Sequence, residues 1–212
     1  MEDEFSLAMR VDLSEEDLEK LSVFSRRRLA ANPNTSSFVL EKLSKDKDKD
    51  KDYDVLENVA EHRNTSASVL ERLSRDDNVS VRCSVARNCN TSIAVLERLS
   101  RDDDESVRSN VAWNTSTSAS ILEKLSEDTD LCVRYYVAKN SSTSASVLEK
   151  LSGDDFVTVR KSASKNFSNF RIRDMIRAGT KNELDINCER ISNLYMIWLL
   201  DWRKELFRLD RK

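Results

Sequence analysis

The side chains that most often act as bases, nucleophiles or metal ligands are sparse in this 212-residue chain: one histidine, His62, and four cysteines, Cys83, Cys89, Cys132 and Cys188. A general base needs a nucleophile or an orienting group within reach, and no nearby motif supplies one to His62. The cysteines form no CxxC pair and sit in unlike contexts, which points to free thiols and to neither a disulfide framework nor a zinc or iron–sulfur site. No Gly-rich phosphate loop is present. The expectation is therefore a chain that is not an enzyme, with no catalytic residue, no metal ligand and no cofactor. What remains is ionic chemistry at fixed spacing. Asp76, Asp102, Asp128 and Asp154 each precede an arginine by six residues, at Arg82, Arg108, Arg134 and Arg160. Such a column either ties units together through charge-assisted bonds, within a unit or to the adjoining one, or contacts a ligand.

The spacing of that column belongs to a repeat. VLEKL at Val39, VLERL at Val69 and Val95, ILEKL at Ile121 and VLEKL at Val147 recur at 30, 26, 26 and 26 residues, and DLEKLS from Asp17 is an earlier copy. About six units follow, and a period of this length is the signature of a repeat architecture. Within a unit the apolar residues fall at i, i+1 and i+4, as in Val69, Leu70 and Leu73, which is one face of a helix. Thr35, Thr65, Thr91, Thr117 and Thr143 stand just ahead of these helices and are expected to cap them. A second helix follows an acidic turn and carries Val81 and Val85, repeated as Val107 and Val111 and as Val133 and Val137, with Ala86, Ala112 and Ala138 beside them. Asn88, Asn114, Asn140 and Asn166 close the second helix and suit a left-handed helix end; His62 holds the same column one unit earlier. Two glycines, one proline, 7% aromatics and 34% charged residues agree with an all-α chain.

ANPNTSSFVLEKLSKD from Ala31 and VRCSVARNCNTSIAVLERLSRD from Val81 resemble the leucine-rich repeat variant family, which is related in style to HEAT-like repeats. The resemblance covers about Ser14 to Asn169. It implies a right-handed α-solenoid of two-helix units of about 26 residues, and allows one helix of each unit to be tight and 3₁₀-like. The family's prolines are mostly replaced here: only Pro33 remains, while Ser36, Ser66, Ser92, Ser118 and Ser144 follow the threonines. An iron–sulfur module accompanies one family member, but no cysteine precedes Val39, and that cofactor is not carried over.

Residues 1–169 are read as the repeat array, with the alternating KDKDKDKDYD of residues 45–54 as a solvated loop. Residues 170–212 are read as a helical cap or docking segment. Its last helix, from about Cys188 to Leu209, carries Ile191, Leu194, Tyr195, Trp198 and Trp202 on one stripe. That surface caps the array's end, docks a partner or forms an oligomer contact, or rests on a membrane surface. The N-terminus lacks a signal-like apolar region and the longest apolar run, Leu194 to Leu200, is too short to span a membrane, so a cytoplasmic location is expected.

Among second-helix positions that point away from the core and change type between units, Arg87, Trp113, Lys139 and Lys165 form one column, with Tyr135 and Tyr136 beside it. A basic strip with aromatic anchors suits a protein or peptide partner, and Trp198 and Trp202 of the last helix would make a second contact. The expected function is a non-catalytic scaffold or adaptor for protein–protein interaction. The alternative is nucleic-acid binding through periodic cations and stacking aromatics, against which the net charge of −3 argues. A HEAT-like base-excision enzyme would need a buried acid and an aromatic pocket, and the sequence points to neither.

Overall fold

The computed structural model describes residues 13–45 and 53–177, and every regular element among them is a helix. A five-residue helix, α1 (Glu15–Glu19), comes first, opened by a capping box in which Ser14 and Asp17 satisfy each other's backbone N–H groups. Long and short helices then alternate. The long ones are α2 (Val23–Ala31), α4 (Tyr53–Glu61), α6 (Val79–Arg87), α8 (Glu105–Trp113), α10 (Leu131–Lys139) and α12 (Val157–Arg177). The short ones are α3 (Ser37–Leu43), α5 (Ala67–Leu73), α7 (Ile93–Leu99), α9 (Ala119–Leu125) and α11 (Ala145–Leu151). Both helices of each unit are thus α-helical, and neither is 3₁₀.

Serine sets both ends of the short helices. Ser36, Ser92, Ser118 and Ser144 accept the N–H three residues on at 3.3–3.4 Å, satisfying a donor the first turn cannot. At the other end Ser44, Ser74, Ser100, Ser126 and Ser152 donate back to a glutamate carbonyl three residues earlier. The expected threonine caps are therefore corrected by one residue. Thr35, Thr65, Thr91, Thr117 and Thr143 are buried. Each hydroxyl donates to a carbonyl six residues back, from Leu29, Val59, Val85, Val111 and Val137 respectively, at 2.5–2.6 Å. The reason is local: the last carbonyls of a helix lack intrahelical donors, and the threonine lies where it can reach one, leaving the following serine to cap.

Long helices open on Asn78, Asp104 and Asp130, whose side chains accept first-turn N–H groups. They end on Asn88, Asn114 and Asn140 with φ between −67° and −64° and ψ between 125° and 131°, which is extended and not the left-handed end expected. These asparagines serve a longer-range purpose. Nδ2 of Asn88 donates to the carbonyls of Ala60 and His62, that of Asn114 to Ala86 and Asn88, and that of Asn140 to Ala112 and Asn114, all at 2.7–3.1 Å. Each Oδ1 accepts the N–H two residues on. Asn166 donates likewise to Ala138 and Asn140, but α12 runs on past it without a break.

The ladder accompanies direct packing of successive long helices, α2 on α4, α4 on α6, α6 on α8 and α8 on α10, while each short helix from α3 to α11 touches a long helix of its own or the next unit. Between them the repeated columns Val81, Val85, Ala86, Val95, Leu96 and Leu99, with their equivalents, are buried in one core. Each leucine or valine removed from water contributes about 1.5–3 kcal/mol. Residues through Phe167 form one compact unit and those from Ser168 a second. Tyr53 and Asp54 already belong to α4, so the charged insertion is shorter than residues 45–54; residues 46–52 lie outside the described residues. So do the helix expected from Cys188 to Leu209 and its Trp198 and Trp202. No helix among the described residues is long and apolar enough to cross a membrane.

Replacing Asn114 by Ala strands the buried carbonyls of Ala86 and Asn88 and the N–H of Ser116. Unfolding in urea should show a loss of about 2–4 kcal/mol. Asn114→Asp should be no better, since a carboxylate offers no proton to two carbonyls.

Candidate functional site

His62 is buried in the Asn column and both ring nitrogens are engaged. Nδ1 lies 3.0 Å from the N–H of Asn64 and must accept; Nε2 therefore carries the proton and donates to the Asn32 carbonyl at 2.9 Å. The imidazole does the work of the asparagine amide found in later units. Cys83 is buried, which pushes its thiol pKa up, while Cys89 and Cys132 are exposed; all three are free thiols. Among the described residues no three of His, Cys, Asp and Glu gather as metal ligands. Cys188 lies outside the described residues.

The Asp–Arg column joins neighbouring units. Arg82 grips the carboxylate of Asp102 through Nε and Nη2 at 2.8 and 2.9 Å, and its Nη1 donates to the carbonyls of Asp76 and Asp77 in its own turn. Arg108 does the same to Asp128, and Arg134 to Asp154. Each of these carboxylates also accepts a backbone N–H two residues on. Burial opposes ionisation of Asp102, Asp128 and Asp154, but the arginine fork, the N–H and the nearby positive charge together hold each carboxyl below its ordinary value. Conversely, the hydrogen-bonded aspartate raises Arg82, Arg108 and Arg134 further. With fork and third nitrogen all bonded, these arginines hold the turns together and are not offered to a ligand.

The outward strip is exposed along the long helices. Arg87, Trp113, Lys139 and Lys165 occupy the same position of α6, α8, α10 and α12. Consecutive members are brought side by side by the packing of α6, α8 and α10 and by the Asn166 bonds. Trp113 is 53% exposed, more than half of a large apolar side chain. Tyr135 and Tyr136 are half-buried and meet edge to face at 5.3 Å between centroids, and the Lys139 ammonium lies 5.3 Å from the Tyr135 ring centroid. Arg87 differs from a free cation: its Nε donates to Asn110 Oδ1 at 2.9 Å and its Nη1 pairs with Glu61 at 3.2 Å. Glu61 is the residue of the same column one unit earlier, and Asp54 and Glu57 lie on its face of α4. The 26-residue period carries Arg87 back to Glu61, so this acidic start to the strip is legible in the repeat itself. Lys161, the equivalent of Tyr135 in α12, is likewise exposed and adds to the basic end. Trp198 and Trp202 lie outside the described residues. No protein-family model matches this chain, and no curated protein matches it.

His62→Asn should leave stability within about 1 kcal/mol in urea unfolding, because the amide supplies the same acceptor and donor; a larger loss would give the imidazole a role beyond this contact. The ladder aspartates ionise more readily folded than unfolded. Their contribution is full above the unfolded value of about 3.9 and is lost as pH falls from there through the lowered folded values. Asp128→Asn should cost about 1–3 kcal/mol at neutral pH. Its unfolding free energy, followed by urea titration at stepped pH, should also fall less steeply in acid than that of the parent chain.

Proposed function

We propose that this chain is a non-catalytic scaffold, a right-handed α-solenoid of about six units of the leucine-rich repeat variant kind, that binds a protein or peptide partner in the cytoplasm. The observation that carries the proposal is Trp113: more than half exposed on the outward side of α8, with Tyr135, Tyr136 and Lys139 on the next long helix. Tryptophan and tyrosine bury large area at small entropic cost and dominate interface energies. Tyr135 and Tyr136 pack partly against the core, whereas the core accounts for neither Trp113 nor Lys139, both exposed. His62 and the Asp–Arg column, the residues best suited to chemistry, are committed to internal hydrogen bonds, which supports a binding role over an enzymatic one. The helix expected from Cys188 to Leu209, with Trp198 and Trp202, is proposed as an array cap, a second docking contact or an oligomer contact.

Nucleic-acid binding is the competing reading, favoured by Lys139, Lys161 and Lys165 beside two tyrosines. The carboxylates of α4 on the same face oppose it, because a polyanion lying along the strip would meet them. Capture from native lysate, with and without nuclease, separates the two readings. A protein partner should survive nuclease, and the double variant Trp113→Ala, Tyr136→Ala should lose it at least about tenfold with unchanged helicity. Undiminished capture by that variant would sink the assignment of the face.

A further inference from the structure

The outward face of the long helices changes charge from one end to the other. On α4 it presents Asp54, Glu57 and Glu61, at i, i+3 and i+7 and so on one side of the helix. On α6 the same positions hold Ser80, the buried Cys83 and Arg87, and on α8 they hold Ser106, Ser109 and Trp113. On α10 they become Cys132, Tyr135 and Lys139, and on α12 Thr158, Lys161 and Lys165. Glu57 registers the local field: partial burial and then the charges of Asp54 and Glu61 raise its carboxyl pKa, outweighing Arg87. Arg27 pairs with Asp54 and Arg87 with Glu61, but these pairs are about half exposed and water weakens them. At the other end, no carboxylate among the described residues pairs with Lys139, Lys161 or Lys165, and all three lysines are exposed.

Resting on the reading of this face as a binding surface, we infer that its occupant is an extended protein segment with segregated charge: basic over α4, apolar at Trp113, acidic over α10 and α12. Charge complementarity sets the class. A polyanion is repelled at α4 and a polycation at α12, while a segment carrying both ends in order is attracted at each and held in one register. The four helix-to-helix steps from α4 to α12, at about 10 Å each, span roughly 40 Å. An extended chain covers that in about twelve residues.

The test is fluorescence anisotropy of the full chain with a labelled peptide of about twelve residues that carries lysines at one end, leucine and phenylalanine in the middle and glutamates at the other. Its control has the same composition with the charges alternating. The segregated peptide should bind about tenfold more tightly in low salt. Lys161→Glu with Lys165→Glu, at two exposed positions, should erase that preference and leave the alternating peptide's affinity within about twofold. Equal affinity for both peptides, lost on Trp113→Ala, would overturn the charge grading and leave the binding face standing. Binding of neither peptide while lysate capture persists overturns the inference alone. Tighter binding of a single-stranded oligonucleotide than of the segregated peptide overturns it too, and moves the face to polyanion recognition.

Discussion

From α6 onward a buried primary amide sits where each long helix of this repeat meets the one before it, and on α4 the His62 imidazole takes its place. The last carbonyls of a helix have no intrahelical donors, and at the end of α6 those of Ala86 and Asn88 are shut away from water by the next unit. Both protons of the Asn114 amide are spent on them, while its oxygen takes the N–H of Ser116. An amide can do this because it carries two donors and an acceptor on one short side chain; a hydroxyl has one proton and a carboxylate none. The apolar columns of valine, alanine and leucine can close around the helix end only because this demand is met. Each unit therefore leaves polar groups that only its successor satisfies, which favours stability that runs from neighbour to neighbour.

Two further devices work outward from that contact. Behind the amide, the threonine hydroxyl takes one more carbonyl of the same helix end, so the link into the short helix has no stranded acceptor at Val85 or Val111. At the other end of the unit, the arginine fork crosses from one acidic turn to the next. Its partners are only 7–16% exposed, so it is closer to a buried pair than to a surface one. Breaking such a pair from one side strands a charge, which is costlier than never having had it. Amide and ion pair thus fix adjacent units at both ends of the long helix, and the apolar core fills what lies between.

This division of labour leaves one side of the long helices unconstrained. Positions equivalent to Arg87 hold glutamate, arginine, tryptophan and lysine in successive units, and none of them is buried. Variation there stands against the near-constancy of the asparagine and valine columns. By contacting Glu61 and Asn110, Arg87 straps three long helices across their outer side. The acidic and basic ends of the face lie on either side of that strap.

The 26-residue period, the i, i+1, i+4 apolar pattern and the scarcity of glycine and proline were enough, without coordinates, to establish paired helices, their core faces and the all-α class. They also place Arg87, Trp113 and Lys139 in one column, since identical spacing puts identical positions on equivalent helices. The partners of the polar residues were decided by tertiary structure. Thr91 and Ser92 are both competent caps; serine takes the cap because the Val85 carbonyl, six residues before the threonine, is where its hydroxyl can reach. Asn88 looked like a left-handed helix end, yet its backbone is extended and its amide is spent on carbonyls 26 and 28 residues away. Local sequence specifies which conformations are inexpensive. Which buried carbonyl or carboxylate a side chain must satisfy depends on the unit packed against it, and that is set only when the units assemble.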